Sequence, residues 1–212
     1  MVPLRSSILV TMAAALLSGC AQTSKVDEAM VSTATLAQQK RAVALIRVGS
    51  ASPDCFNVAV LLGTRAGDYF KRGQVIKVAN VRSVSEPAVA EVELEPGEYH
   101  VLGYACQSDK ATMTVMDKAD GQTYRTSYAH FTVKAGEVVN VGYLHFGASH
   151  TGRSAFGRPL RIDVSVTDWP LREIDHFKAR RPGLYAQMTT RLMIATDRGP
   201  QAPSDADCRR MQ

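Results

Sequence analysis

Beyond its first twenty residues the chain lacks any apolar run of the eighteen or so residues that a membrane-spanning helix needs, so the remainder reads as soluble. It also lacks a strong excess of one charge. Its 25 Lys and Arg against 20 Asp and Glu leave a formal +5, too mild a basicity for a nucleic-acid binder. Five histidines, His100, His130, His145, His150 and His176, include no pair at the i, i+4 spacing of helical zinc enzymes, which removes that motif and leaves no metal or cofactor expected. What is present is ordinary globular composition, 45% apolar and 21% charged over 212 residues. That suffices for one sizeable core, hence one domain with extensions.

The first nineteen residues read as a secretory signal: a cation at Arg5, an apolar run over residues 8–17, and small residues before a cysteine. The tetrad Leu17, Ser18, Gly19 and Cys20 closely resembles the lipobox of bacterial lipoproteins. The resemblance implies lipid on the Cys20 thiol and cleavage before it. Several acyl chains on one residue exceed the single chain that holds only marginally, so the anchor should be stable. In the lipoprotein pattern an aspartate after the cysteine favours the inner membrane; Ala21 here implies the outer membrane. Cleavage removes one cation, Arg5, and takes the formal charge from +5 to +4.

Residues 20–40 are polar and small with scattered Val, Met and Leu, the composition of a flexible tether. From Arg41 the period changes to that of half-buried strands, with candidates at 42–48 and 56–62. In residues 88–106, Ala88, Ala90, Val92 and Leu94 share one face and Glu91 and Glu93 the other. Pro96-Gly97 then suits a type II turn into a strand over 99–106. Phe131 and Val133 lead to a turn at Ala135-Gly136, Val139, Val141 and Tyr143 alternate after it, and Leu160, Ile162, Val164 and Val166 repeat the period. Six to eight such strands predict a mainly β protein, an antiparallel β-sandwich over residues 41–168. The segments PGEYHV and VKAGEVVNVGYL resemble small envelope lipoproteins with a prealbumin-like or carboxypeptidase-regulatory-like sandwich, a likeness over residues 88–146 that implies fold rather than activity.

A C-terminal helical appendage is expected over 169–196. Asp168 is placed to cap a helix that has Pro170 in its first turn and Leu171, Ile174 and Phe177 along one side, broken by Pro182-Gly183. LYAQMTTRLM, with Leu184, Met188 and Leu192 at i, i+4, i+8, predicts a second, amphipathic helix. Residues 197–212 are polar and predicted disordered.

GASHTGRS at 147–154 falls one letter short of the phosphate-loop pattern, with Arg153 in the lysine's place. A phosphate cradle needs a helix opening directly after it, and Gly157 and Pro159 prevent one, so the segment reads as a strand-to-strand loop. Ser149 or Ser154 near His150 and His145 suggests a hydrolase or metal-dependent enzyme as the competing class. The spacing nevertheless departs from the G-x-S-x-G nucleophile elbow, and no catalytic residue is assigned. Excluding Cys20, three cysteines remain for an oxidising compartment. Cys55 opens an early strand, Cys106 ends a central one and Cys208 sits in the tail, so a Cys55–Cys106 disulfide is expected.

The remaining candidate is an interface. Lys178, Arg180 and Arg181 cluster beside Trp169, Phe177 and Tyr185, a mixture enriched where proteins meet. They would bind an envelope protein or an anionic envelope component, or else dock the helices on the sandwich. The sequence thus predicts a lipid-anchored, non-catalytic binding or structural module of the outer membrane.

Overall fold

The most apolar stretch after the N-terminus, AVALIRV, does not alternate, because the strand it forms has no solvent face. In the computed structural model, which describes residues 23–50, 55–79, 81, 88–107, 112–150 and 160–196, this strand, β1 (Ala42–Ser50), is buried from Ala42 to Gly49. A strand covered on both sides reads as a continuous apolar run.

Eleven further strands follow among the described residues: β2 (Asn57–Ala66), β3 (Tyr69–Val78), β4 (Val89–Leu94), β5 (Gly97–Gln107), β6 (Thr112–Met116), β7 (Thr123–Tyr124), β8 (Ala129–Val133), β9 (Val138–His150), β10 (Leu160–Thr167), β11 (Met188–Thr190) and β12 (Ile194–Ala195). They form two sheets. The first runs β10-β9-β1-β4, with β11 also on β9; the second runs β12-β8-β5-β2-β3-β7, with β6 also on β5. The protein is therefore mainly β, a sandwich with a small helical part. The pairing is largely antiparallel, but β9 lies parallel to both β1 and β11.

Between the sheets lies the main core. Ala42, Ala44, Ile46 and Val48 of β1 face inward with Val60 and Leu62 of β2, Val92 of β4, Tyr104 of β5 and Phe146 of β9. The rings of Tyr104 and Phe146 stack with centroids 4.3 Å apart. Cys55 and Cys106 are joined by the expected disulfide, and both are buried in this core.

Of the two turns expected, at Pro96-Gly97 and at Ala135-Gly136, only the second forms, and each site does different work from that expected. β4 and β5 do not pair with each other; they belong to different sheets, and Glu95-Pro96 carries the chain across. Gly97 stands at φ 156°, far from the +80° or so of a type II turn. At Lys134 to Glu137 the turn does form, closed by a 3.2 Å bond from the Glu137 N–H to the Lys134 carbonyl, with Gly136 at φ 82°. A Cβ there would lie 3.0 Å from that of Ala37, so the position suits only glycine. This turn too joins the two sheets.

The opposite face of the first sheet carries a second core, made by both ends of the described chain. Leu36, Trp169, Phe177 and Leu184 cover Val43, Leu45, Val89 and Val138. The segment expected as a flexible tether is packed from Thr23 onward. It includes a helix, α1 (Thr33–Gln38), whose cap Ser32 accepts the Thr35 N–H at 3.0 Å. The C-terminal part holds α2 (Leu171–Arg180) and α3 (Pro182–Gln187). Asp168 does not cap α2. The cap position is Pro170, and Asp168 instead accepts bonds from its neighbour Trp169 and from Asn140. The predicted second helix stops at Gln187, and Met188–Thr190 becomes β11 along β9. β-Branched Thr189 and Thr190 suit a strand better than a helix, and the open edge of β9 supplies their partner.

Candidate functional site

The expected interface residues divide on the structure. Trp169 and Phe177 are buried, their rings edge to face at 5.3 Å, so neither is presented to a partner. This corrects the interface reading for both: their apolar surface is spent holding α2 to β1. Arg181 is likewise turned inward. It reaches the carboxylate of Glu91 and the Val26 carbonyl, the latter at 2.7 Å. Lys178 and Arg180 remain exposed and Tyr185 half-buried, with the Lys178 ammonium 5.3 Å from the Tyr185 ring centre.

Glu91 is the residue that alternation alone misplaces. Its position on the polar face of β4 suggests solvent, but that face lies under the terminal segments and the side chain is fully buried. It is compensated from three directions: Lys25 at 2.8 Å, the Val26 N–H at 3.1 Å, and Arg181. A carboxylate so placed tolerates burial because both oxygens are bonded. A second buried ion pair ties β1 to α2, Arg47 to Glu173 at 2.9 Å, with the Arg47 guanidinium 5.2 Å from the centre of the Tyr143 ring. Glu28 completes the link between the two ends, accepting the Gly183 and Leu184 N–H groups at the start of α3. Beside this network lies a groove of about 660 Å³ bordered by Lys25, Met30, Leu36, Gln39, Gln74 and Glu93.

Of the residues of the hydrolase alternative, the structure describes the backbone of Ser149 and His150 and the whole of His145. Gly147–His150, expected as loop, continue β9, with Ser149 opposite Arg161 and His150 opposite Leu160. His145 packs edge-on to Tyr143 at 6.1 Å. Ser154, Arg153, Cys20 and Cys208 lie outside the described residues.

Two histidines that sequence spacing kept apart do meet. His100 of β5 and His130 of β8 are direct cross-strand partners, with ring centroids 5.7 Å apart. A helical i, i+4 search cannot find a pair thirty residues apart; only the register of an antiparallel ladder brings them together. His100 is buried, and that burial pulls its pKa below the usual imidazole value, helped by His130 and Arg65 and opposed by Glu98.

Compared with protein-family models and with curated proteins, the chain matches none.

Proposed function

We propose that this chain is a lipid-anchored lipoprotein of the bacterial outer membrane, working as a non-catalytic binding or structural module of the envelope. The observation that carries this reading is the Leu17-Ser18-Gly19-Cys20 tetrad directly after a signal-like apolar run. Two features of the fold support it. The Cys55–Cys106 disulfide suits an oxidising compartment. And the chain is secured to the sandwich very soon after the anchor: Thr23 Oγ1 accepts the Ala79 N–H at 3.0 Å, and Ser24 bonds Lys77.

Only Ala21 and Gln22 separate Cys20 from Thr23. At about 3.6 Å per residue the leash spans roughly 10 Å, which holds the domain against the headgroups instead of raising it on a long tether. The exposed Lys178, beside Arg180 and Tyr185, offers a contact for an anionic envelope component or a partner protein.

The test is metabolic labelling with palmitate followed by membrane fractionation. Label and membrane association are expected in the natural chain and lost in Cys20→Ala. Equal labelling of both would sink the anchoring. In-cell crosslinking of the anchored protein, with mass spectrometry of the captured material, then addresses the binding role; turnover of an envelope substrate by the purified chain would contradict the non-catalytic reading.

A further inference from the structure

We propose that Glu98, His100 and His130 form a binding site for one divalent transition-metal ion of the zinc class, on the outer face of the second sheet. This inference is independent of the anchoring and of the envelope role.

Three observations carry it. The first is placement. His100 and His130 face each other across β5 and β8, and Glu98 precedes His100 by two positions, so the pleat puts all three on one face. One potential ligand atom from each lies within 4.8 Å of the others.

The second is a preset tautomer. Ser127 Oγ donates its single proton to the Ala129 carbonyl at 3.0 Å. Toward His100 Nδ1, 3.1 Å away, that oxygen can then only accept, so Nδ1 carries the ring proton. Nε2 is left with its lone pair. A hydroxyl or carbonyl holding the far nitrogen of an imidazole is the usual outer support of a metal-ligating histidine.

The third is an unmet need. His100 is only 6% exposed, and its Nε2 is buried without a hydrogen-bond partner. The nearest acidic group, Glu98 Oε1, is 3.7 Å away, beyond hydrogen-bond length, and a carboxylate cannot donate to a lone pair. A cation between the two satisfies both. The Phe70 ring, 4.6 Å from that of His100, walls the site on one side. The Glu98 side chain is 52% exposed and can close on the ion from the solvent side.

Two imidazoles and one carboxylate are borderline ligands suited to Zn²⁺, with a fourth position left for water. The experiment uses the tag-free mature chain stripped with chelator, titrated with Zn²⁺ by calorimetry and with Co²⁺ by visible absorption. One equivalent is expected to bind. Glu98→Gln and His130→Asn, both outside the cores, should each weaken it at least as much as the loss of outer support in Ser127→Ala, about 10- to 100-fold. Far-UV circular dichroism checks that each variant keeps its fold. Absence of binding at millimolar Zn²⁺ would overturn the proposal. So would natural affinity in either Glu98→Gln or His130→Asn, which would place the ion on other histidines or reduce the ligand set below three.

Discussion

At the scale of single residues, what distinguishes this protein is where its charges are buried. Glu91 has no exposed side-chain surface, while its partners Lys25 and Arg181 keep 45% and 23% of theirs. Glu91→Ala therefore takes the buried carboxylate from both cations, leaves Arg181 only the Val26 carbonyl and Glu28 at 3.5 Å, and should cost about 3 kcal/mol in denaturant unfolding. Lys25→Met removes the more exposed partner and should cost no more than about 1 kcal/mol. A second prediction concerns Tyr128, whose hydroxyl is buried without a protein partner and whose pKa burial pushes up to about 12, with Asp117 adding to the shift. Because no hydrogen bond is lost, Tyr128→Phe should leave stability within about 0.5 kcal/mol or raise it. A third concerns pH. Burial alone would raise the Glu137 carboxyl, but the Arg191 hydrogen bonds at 2.6 and 3.1 Å and the Lys134 N–H outweigh it, and the net shift is downward. A depressed carboxyl stabilises the fold above its unfolded pKa and ceases to do so as pH falls through the folded one. The gap between the natural chain and Glu137→Gln, about 1 kcal/mol near pH 7, should accordingly close below the ordinary carboxylate range near 4.5.

At the scale of elements, β1 explains how the terminal segments are held to the sandwich. Its odd residues Val43 and Leu45 pack under Leu36, Trp169, Phe177 and Leu184, and its even residues fill the space between the sheets. Removing residues 171–212 uncovers the first set, frees the edge of β9 where β11 pairs, and leaves Glu91 without Arg181. The truncated chain should aggregate or show molten behaviour, read as loss of near-UV circular dichroism and binding of a hydrophobic dye. A soluble, two-state sandwich would show instead that the helices are dispensable. Alternation made the strands at 56–62, 99–106 and 160–166 legible, because period two records which faces are apolar, whereas the strand at 42–48 shows itself as a short continuous apolar run. It could not tell whether the polar face of β4 meets water or another layer. Nor could it distinguish a hairpin at Pro96-Gly97 from a crossing between sheets, since turn residues report local φ and ψ and not the strand on the far side. LYAQMTTRLM has helical spacing, yet the open edge of β9, whose other edge pairs with β1, claims its second half, and a ladder of backbone bonds outweighs a weak local preference.

At the scale of the whole molecule, the Cys55–Cys106 bridge closes a separation of 51 residues and joins the start of β2 to the end of β5. In the chain-entropy model that contributes on the order of 3 to 4 kcal/mol. Reductant should lower the denaturant midpoint accordingly, and the oxidised, unfolded chain carrying Cys20→Ala should titrate a single thiol, Cys208. An unchanged midpoint, or no free thiol, would contradict this assignment. By itself the amino-acid order determined the mainly β class, the approximate strands and the cysteine pair. These are features written in short windows, through period, turn chemistry and composition. Tertiary structure alone decided that residues 23–40 are packed, that Trp169 and Phe177 are core, that Glu91 is buried and paired, and that His100 meets His130. Each of these depends on which distant segments share a layer or a register, and that is settled by the joint burial of surfaces far apart in the chain, which no local window contains.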